Sequence, residues 1–154
     1  MTQKFLWSSL VCLALIFAAR PASAHEKRAV AKKQWVVGFL KEPAFSGEMN
    51  GIDLRVADKK GKPVAGLEQT LKAEVGYGDS DVVMEMPLRP RYNQPGAYAA
   101  YFLPARAGDY RFRIYGMVQG KAVDETFRSG AGFSGVENGK ALSFPNVRFE
   151  SSAG

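Results

Sequence analysis

From Trp35 onward, apolar and polar residues follow a period of two rather than the 3.6 of a helix. Ile52, Leu54 and Val56 alternate with Asp53 and Arg55, the signature of a half-buried strand. Leu71, Ala73, Val75 and Tyr77 alternate with Lys72, Glu74 and Gly76, and Tyr110, Phe112 and Ile114 oppose Arg111 and Arg113. Further strands are expected at Trp35 to Leu40, Val82 to Leu88, Ala97 to Leu103, Ala122 to Phe127 and Ala141 to Phe149. The breaks between them carry turn chemistry. Asp58-Lys59-Lys60-Gly61-Lys62-Pro63 places a glycine where φ must turn positive, and Gln119-Gly120 can close a hairpin. No stretch of this part has a convincing amphipathic helical pattern. Seven or eight short strands separated by Gly/Pro turns predict an all-β antiparallel β-sandwich of the immunoglobulin/fibronectin-III kind.

The first 24 residues do not fit that pattern. A basic lead at Lys4, an apolar stretch from Leu10 to Ala19 and the small residues Ala22-Ser23-Ala24 have the order of a secretory signal peptide. The expected organisation is a leader over 1–24, a basic N-terminal arm over 25–34, the sandwich over 35–150 and a tail over 151–154. Cleavage after Ala24 removes 24 of 154 residues and leaves a mature chain of 130. That length can bury roughly two-thirds of its unfolded surface. The lone cysteine, Cys12, leaves with the leader, so no disulfide is expected despite an exported, periplasmic or extracellular setting. Removing Lys4 and Arg20 from 21 basic side chains leaves 19 against 15 acidic ones, a formal +4. Lys27, Arg28, Lys32 and Lys33 contribute to this excess on an arm that reads as solvated and mobile. Nucleic acid is not an expected partner for an exported chain; an anionic surface is.

A specific cadence runs through the second half. Pro95-Gly96-Ala97-Tyr98, then Leu103-Pro104, then Ala107-Gly108-Asp109-Tyr110 resembles the corner of immunoglobulin-like folds, where a tyrosine opening a strand bonds back to the preceding connection. Between Ile52 and Phe127 the spacing and turn chemistry resemble exported bacterial Ig-like domains, including the YtkA-like and the periplasmic CopC-like copper proteins. That resemblance implies an accessory role with copper as ligand. Its site begins at a processed N-terminal histidine, a role that falls here on His25, the only histidine of the chain. The family adds a further histidine and a carboxylate; this chain has no second histidine.

His25 also stands out on its own chemistry. The free α-amine and imidazole of one residue can chelate Cu(II) in a small ring, although a processed N-terminus can equally expose an unligated histidine. Met84-Glu85-Met86 sets two thioethers on one face of a strand, a pattern that suits Cu(I). The plainer reading makes Val82, Met84, Met86 and Leu88 the buried face of that strand. Arg89-Pro90-Arg91-Tyr92 could grip an anionic or carbohydrate ligand, or end a strand in solvent. Gly130-Ala131-Gly132-Phe133-Ser134-Gly135 matches a dinucleotide-binding fingerprint in letters only. It lacks a following helix, and it reads as a mobile loop. The aspartates of Gly76 to Asp81 offer too few oxygens for calcium and read as a hairpin turn. With no cysteine or histidine in the folded body to make or activate a nucleophile, the expectation is a non-enzymatic binding module. The competing expectation is an Ig-like module that docks a protein or envelope component, with no metal role.

Overall fold

The computed structural model describes residues 23–145, and the strands follow the alternation wherever the alternation is strong. They are β1 (His25–Val30), β2 (Lys33–Phe39), β3 (Ala44–Phe45), β4 (Asn50–Ala57), β5 (Leu71–Tyr77) and β6 (Val83–Pro87). There follow β7 (Arg89–Pro90), β8 (Ala97–Phe102), β9 (Tyr110–Val118), β10 (Lys121–Arg128) and β11 (Val136–Glu137). One sheet runs β1-β2-β4-β8-β7 and a second runs β10-β9-β5-β6, both antiparallel throughout. β3 and β11 form a small parallel pair. Among the described residues eight of the eleven segments have five or more residues; seven of these fall on expected strands, and β1 is the unexpected one.

Apolar residues of the two sheets meet between them. Trp35, Val37 and Phe39 of β2, Ile52 and Leu54 of β4, and Phe112 and Ile114 of β9 are all completely buried. Burial of each such large side chain contributes about 1.5–3 kcal/mol. Phe39 sits at the centre, with ring centroids 5.0 Å from Phe112 and 5.7 Å from Phe133, edge to face. Tyr110 opens β9 with its hydroxyl donating to Arg106 O at 2.8 Å and accepting from Arg106 N at 3.3 Å, the back-bonded corner that the Ala-Gly-Asp-Tyr cadence predicts. Tyr98 does the same for another connection, donating to Val64 O at 2.6 Å and accepting from Leu67 N at 3.2 Å. The Gly76 to Asp81 segment is the turn between β5 and β6, tied down by Arg111, which donates to the carbonyls of Gly78 and Ser80.

Three expectations are corrected. Residues 25–34 are not a free arm: His25–Val30 pairs along its whole length with β2. The connecting turn, Ala31-Lys32, takes left-handed φ values of 48° and 61° without a glycine or asparagine, so it lacks the usual hairpin letters. Arg28 points inward at the open edge of the sandwich. It bonds Glu26 and Glu125, and its guanidinium lies 4.2 Å over the Phe127 ring. It therefore leaves the basic surface assigned to Lys27, Arg28, Lys32 and Lys33.

The glycine-rich segment is not a loose loop either. Its Phe133 and Val136 are buried, Phe133 stacks on Phe112 at 5.2 Å, and β11 pairs with β3. The expected last strand is also absent over its described part, where Gly139–Leu142 forms a 3-10 turn. Positions 146–149 of that strand, the tail 151–154 and leader residues 1–22 lie outside the described residues.

Candidate functional site

Alternation turns one set of side chains of the five-stranded sheet away from the core, and across its middle these form a line. His25 of β1 pairs with Gly38 of β2, Gly38 with Asp53 of β4, Asp53 with Ala99 of β8, and Ala99 with Arg89 of β7. The two small residues leave room for long side chains to lie flat on the sheet. A Cβ at Gly38 would come within 2.8 Å of His25 Cδ2, so the absent side chain is what lets the imidazole lie across β2 toward Asp53.

Asp53 is only 1% exposed although it faces away from the core, because an imidazole and two guanidiniums cover it. His25 Nε2 lies 3.2 Å from Oδ2, Arg55 Nε donates to Oδ2 at 3.0 Å, and Arg91 Nη1 donates to Oδ1 at 3.1 Å. A carboxylate only accepts, so the imidazole meets it with Nε2–H as donor. That tautomer leaves the Nδ1 lone pair uncommitted, and the His25 side chain keeps 26% of its surface exposed. Two hollows flank the cluster on the same face. One of about 280 Å³ is lined by Leu40, Lys41, Met49, Arg91 and Tyr101, and one of about 320 Å³ by Val36, Arg55, Pro63 and Gln94 among others.

The candidates read from the sequence fall into two groups. His25 and Arg91 come together on Asp53, Arg89 lies on the same face beyond Ala99, and Tyr92 stands 89% exposed in the turn beyond them. Met84 and Met86 lie on β6, at the edge of the four-stranded sheet beside β8, whereas β1 occupies the other end of the sandwich, facing β10. The structure thus separates His25 from both thioethers. Met86 is buried, but Met84 is 48% exposed and Val82 79%. The first half of that stretch overhangs the core, which corrects the reading of a continuous buried face. Arg111 and Arg113 lie on the opposite sheet from Arg89 and Arg91.

Asp53 and Gly38 were not legible as site residues. Period two assigns Asp53 to the polar side of a strand, and nothing in the pattern indicates that this side is itself covered. Among the described residues, no group of three or more His, Cys, Asp or Glu side chains is gathered as a metal cage. The donor set fits only a chelate made by His25 itself, with Asp53 behind the imidazole.

No protein-family model matches the chain, and no curated protein matches it. Among solved structures it is similar to a DUF4426 family protein from Pseudomonas aeruginosa PAO1, with a TM-score of 0.52 and 12% identity over 69% of this chain and 93% of that one. It is also similar to the Lin-41 filamin domain, with a TM-score of 0.41 and 18% identity over 66% and 94% of the two chains. The first likeness speaks for the fold alone. The fold is an immunoglobulin-like β-sandwich.

Proposed function

We propose that the chain is an exported, non-enzymatic accessory domain that holds copper(II) at a processed N-terminus beginning with His25. The observation that supports this most directly is the imidazole lying over Gly38 with Nε2 on Asp53. Cleavage after Ala24 would free the α-amine of the same residue whose Nδ1 is uncommitted. Both nitrogens then belong to one residue at the start of a paired strand, and chelation needs no second segment to be ordered. Asp53 acts as a positioning residue. It fixes the tautomer and orientation of the ring, as carboxylates behind metal-binding histidines do. Arg55 and Arg91 hold the carboxylate in place and oppose a cation coming closer than the imidazole. Copper on such a site is cargo, held by an open chelate and passed on by ligand exchange.

The test is Cu(II) titration of residues 25–154 by calorimetry and EPR, beside a chain with one extra residue before His25 and an Asp53→Asn variant. One-to-one binding is expected for the first and loss for the second. The third should bind about 10- to 100-fold more weakly. Equal binding by the first two chains would refute the proposal.

A second reading has one observation in its favour. Arg89 and Arg91 flank the same outer face, with Tyr92 exposed beside them, and the glycine-rich segment that could have shared the contacts is packed inward. An Ig-like module docking an anionic protein or envelope component through Arg89, Arg91 and Tyr92 would use this surface without metal. Copper titration separates the readings.

A further inference from the structure

The two most lysine-rich turns of the chain are brought to one end of the sandwich. Gln34 pairs with Ala57, so the β1–β2 hairpin tip with Lys32 and Lys33 adjoins the turn that leaves β4 with Lys59, Lys60 and Lys62. Ala57 bridges to Pro63 and closes that turn into a second tip beside the first. The single carboxylate there, Asp58, is engaged by its own turn, its Oδ1 accepting from Lys60 N at 2.8 Å and Lys62 N at 2.9 Å. Among the described residues none of the five lysines forms an ion pair. The four-stranded sheet differs: Arg113 bonds Glu74 and Asp124, Lys72 bonds Glu85, and Arg128 bonds Asp79. Arg113, Lys72 and Arg128 are thus paired on that face, whereas the five lysines at this end have only the charge of Asp58 near them.

We infer that the Lys32–Lys33 and Lys59–Lys62 tips form a contact surface for the anionic headgroups of a lipid bilayer. The residue type favours this occupant over a specific acidic protein. Lysine ammoniums are hydrated point charges on flexible stems, whereas recognition of one carboxylate in a fixed geometry favours the arginine fork. Arg55 and Arg91 lie on Asp53, Arg28 on Glu26 and Glu125, and Arg113 and Arg128 in the ion pairs of the other sheet. Lysines spread over two adjacent turns suit a diffuse plane of negative charge, to which each contributes about fivefold in partitioning at moderate salt.

The experiment is co-sedimentation with vesicles of phosphatidylglycerol and phosphatidylcholine against vesicles of phosphatidylcholine alone. It uses residues 25–154, because the apolar leader would itself partition. Among the described residues every strand begins at or after His25, so this piece retains the core they form. Binding to the anionic vesicles is expected, weakening steeply with salt. Lys32→Gln/Lys59→Gln/Lys60→Gln should lose about a hundredfold. Lys72→Gln/Lys121→Gln/Lys140→Gln, which removes the same charge elsewhere, should keep most of the affinity. The inference is overturned by equal binding to neutral vesicles, by equal losses in the two triple variants, or by absence of vesicle binding. Lysine-dependent binding to soluble poly-L-glutamate without vesicle binding would assign the surface to an acidic polymer and overturn it too.

Discussion

Glu42 shows how one carboxylate can set the pH response of a small domain. Its Oε1 is buried without a hydrogen-bond partner. Burial pushes the carboxyl up to about 7, the charge of Glu137 adds to this, and the Phe39 backbone opposes it. The folded chain thus keeps a proton that the unfolded chain releases near the ordinary carboxylate range. Stability contributed by that proton is fully present below this range and is lost as pH rises through about 7. Glu42→Gln is expected to leave stability near pH 4 unchanged and to raise it by about 1–2 kcal/mol near pH 8, read from urea unfolding at both pH values. Asp53 is the contrasting case, buried to a similar end but surrounded by donors, and there the carboxylate organises its neighbours instead of resisting burial.

At the scale of elements, the β1–β2 hairpin and the glycine-rich segment each carry a stability prediction. Lys32 holds φ 61° in a position that favours glycine. Lys32→Gly should stabilise the hairpin by about 0.5–1 kcal/mol, seen as a higher unfolding midpoint. Phe133 packs on Phe112 and Phe39 in the core, so Phe133→Ala is expected to cost about 3–5 kcal/mol in denaturant titration. A mobile loop would lose almost nothing. The same elements mark the limit of what the sequence conveys. β4, β5 and β9 were legible because each has three or four alternating apolar residues that a core must cover. β1 buries only Val30 fully, and its strand character comes from backbone pairing with β2, which leaves no apolar period to read. Phe133 sits among glycines whose composition describes a flexible chain, and the single aromatic that reverses the reading acts through contacts far away in sequence. The sequence singled out His25 by its place behind the expected leader. Its partner Asp53 lies 28 residues away and two strands across, a relation that only sheet register supplies.

For the whole molecule, the two outer faces have opposite electrostatic designs. The four-stranded sheet carries a lattice of matched pairs, Arg113 with Glu74 and Asp124 and Lys72 with Glu85, which salt and solvent leave with little net field. The five-stranded sheet gathers His25, Arg55 and Arg91 on one acid, with Lys27 and Arg89 on the same side and the lysine tips beyond its end. An approaching anion is steered to one side of the domain, while its other side is electrostatically quiet. The copper and vesicle experiments address two parts of this side separately, the His25 end of the central row and the lysine tips.

The parallel pairing of β3 with β11 also governs the order of assembly. Residues 44–45 wait for residues 136–137, and between these stretches Phe133 must enter the space beside Phe39. Val136 also exchanges backbone bonds with Gly108 at 2.8 and 2.9 Å, so the late segment stitches two earlier ones together. A chain emerging from its N-terminus can form the β1–β2 hairpin at once but cannot close its core until nearly the whole domain is out. Contacts so distant in sequence delay folding relative to local ones. The domain therefore stays open until this late segment arrives, and its core closes only when Phe133 takes its place beside Phe39.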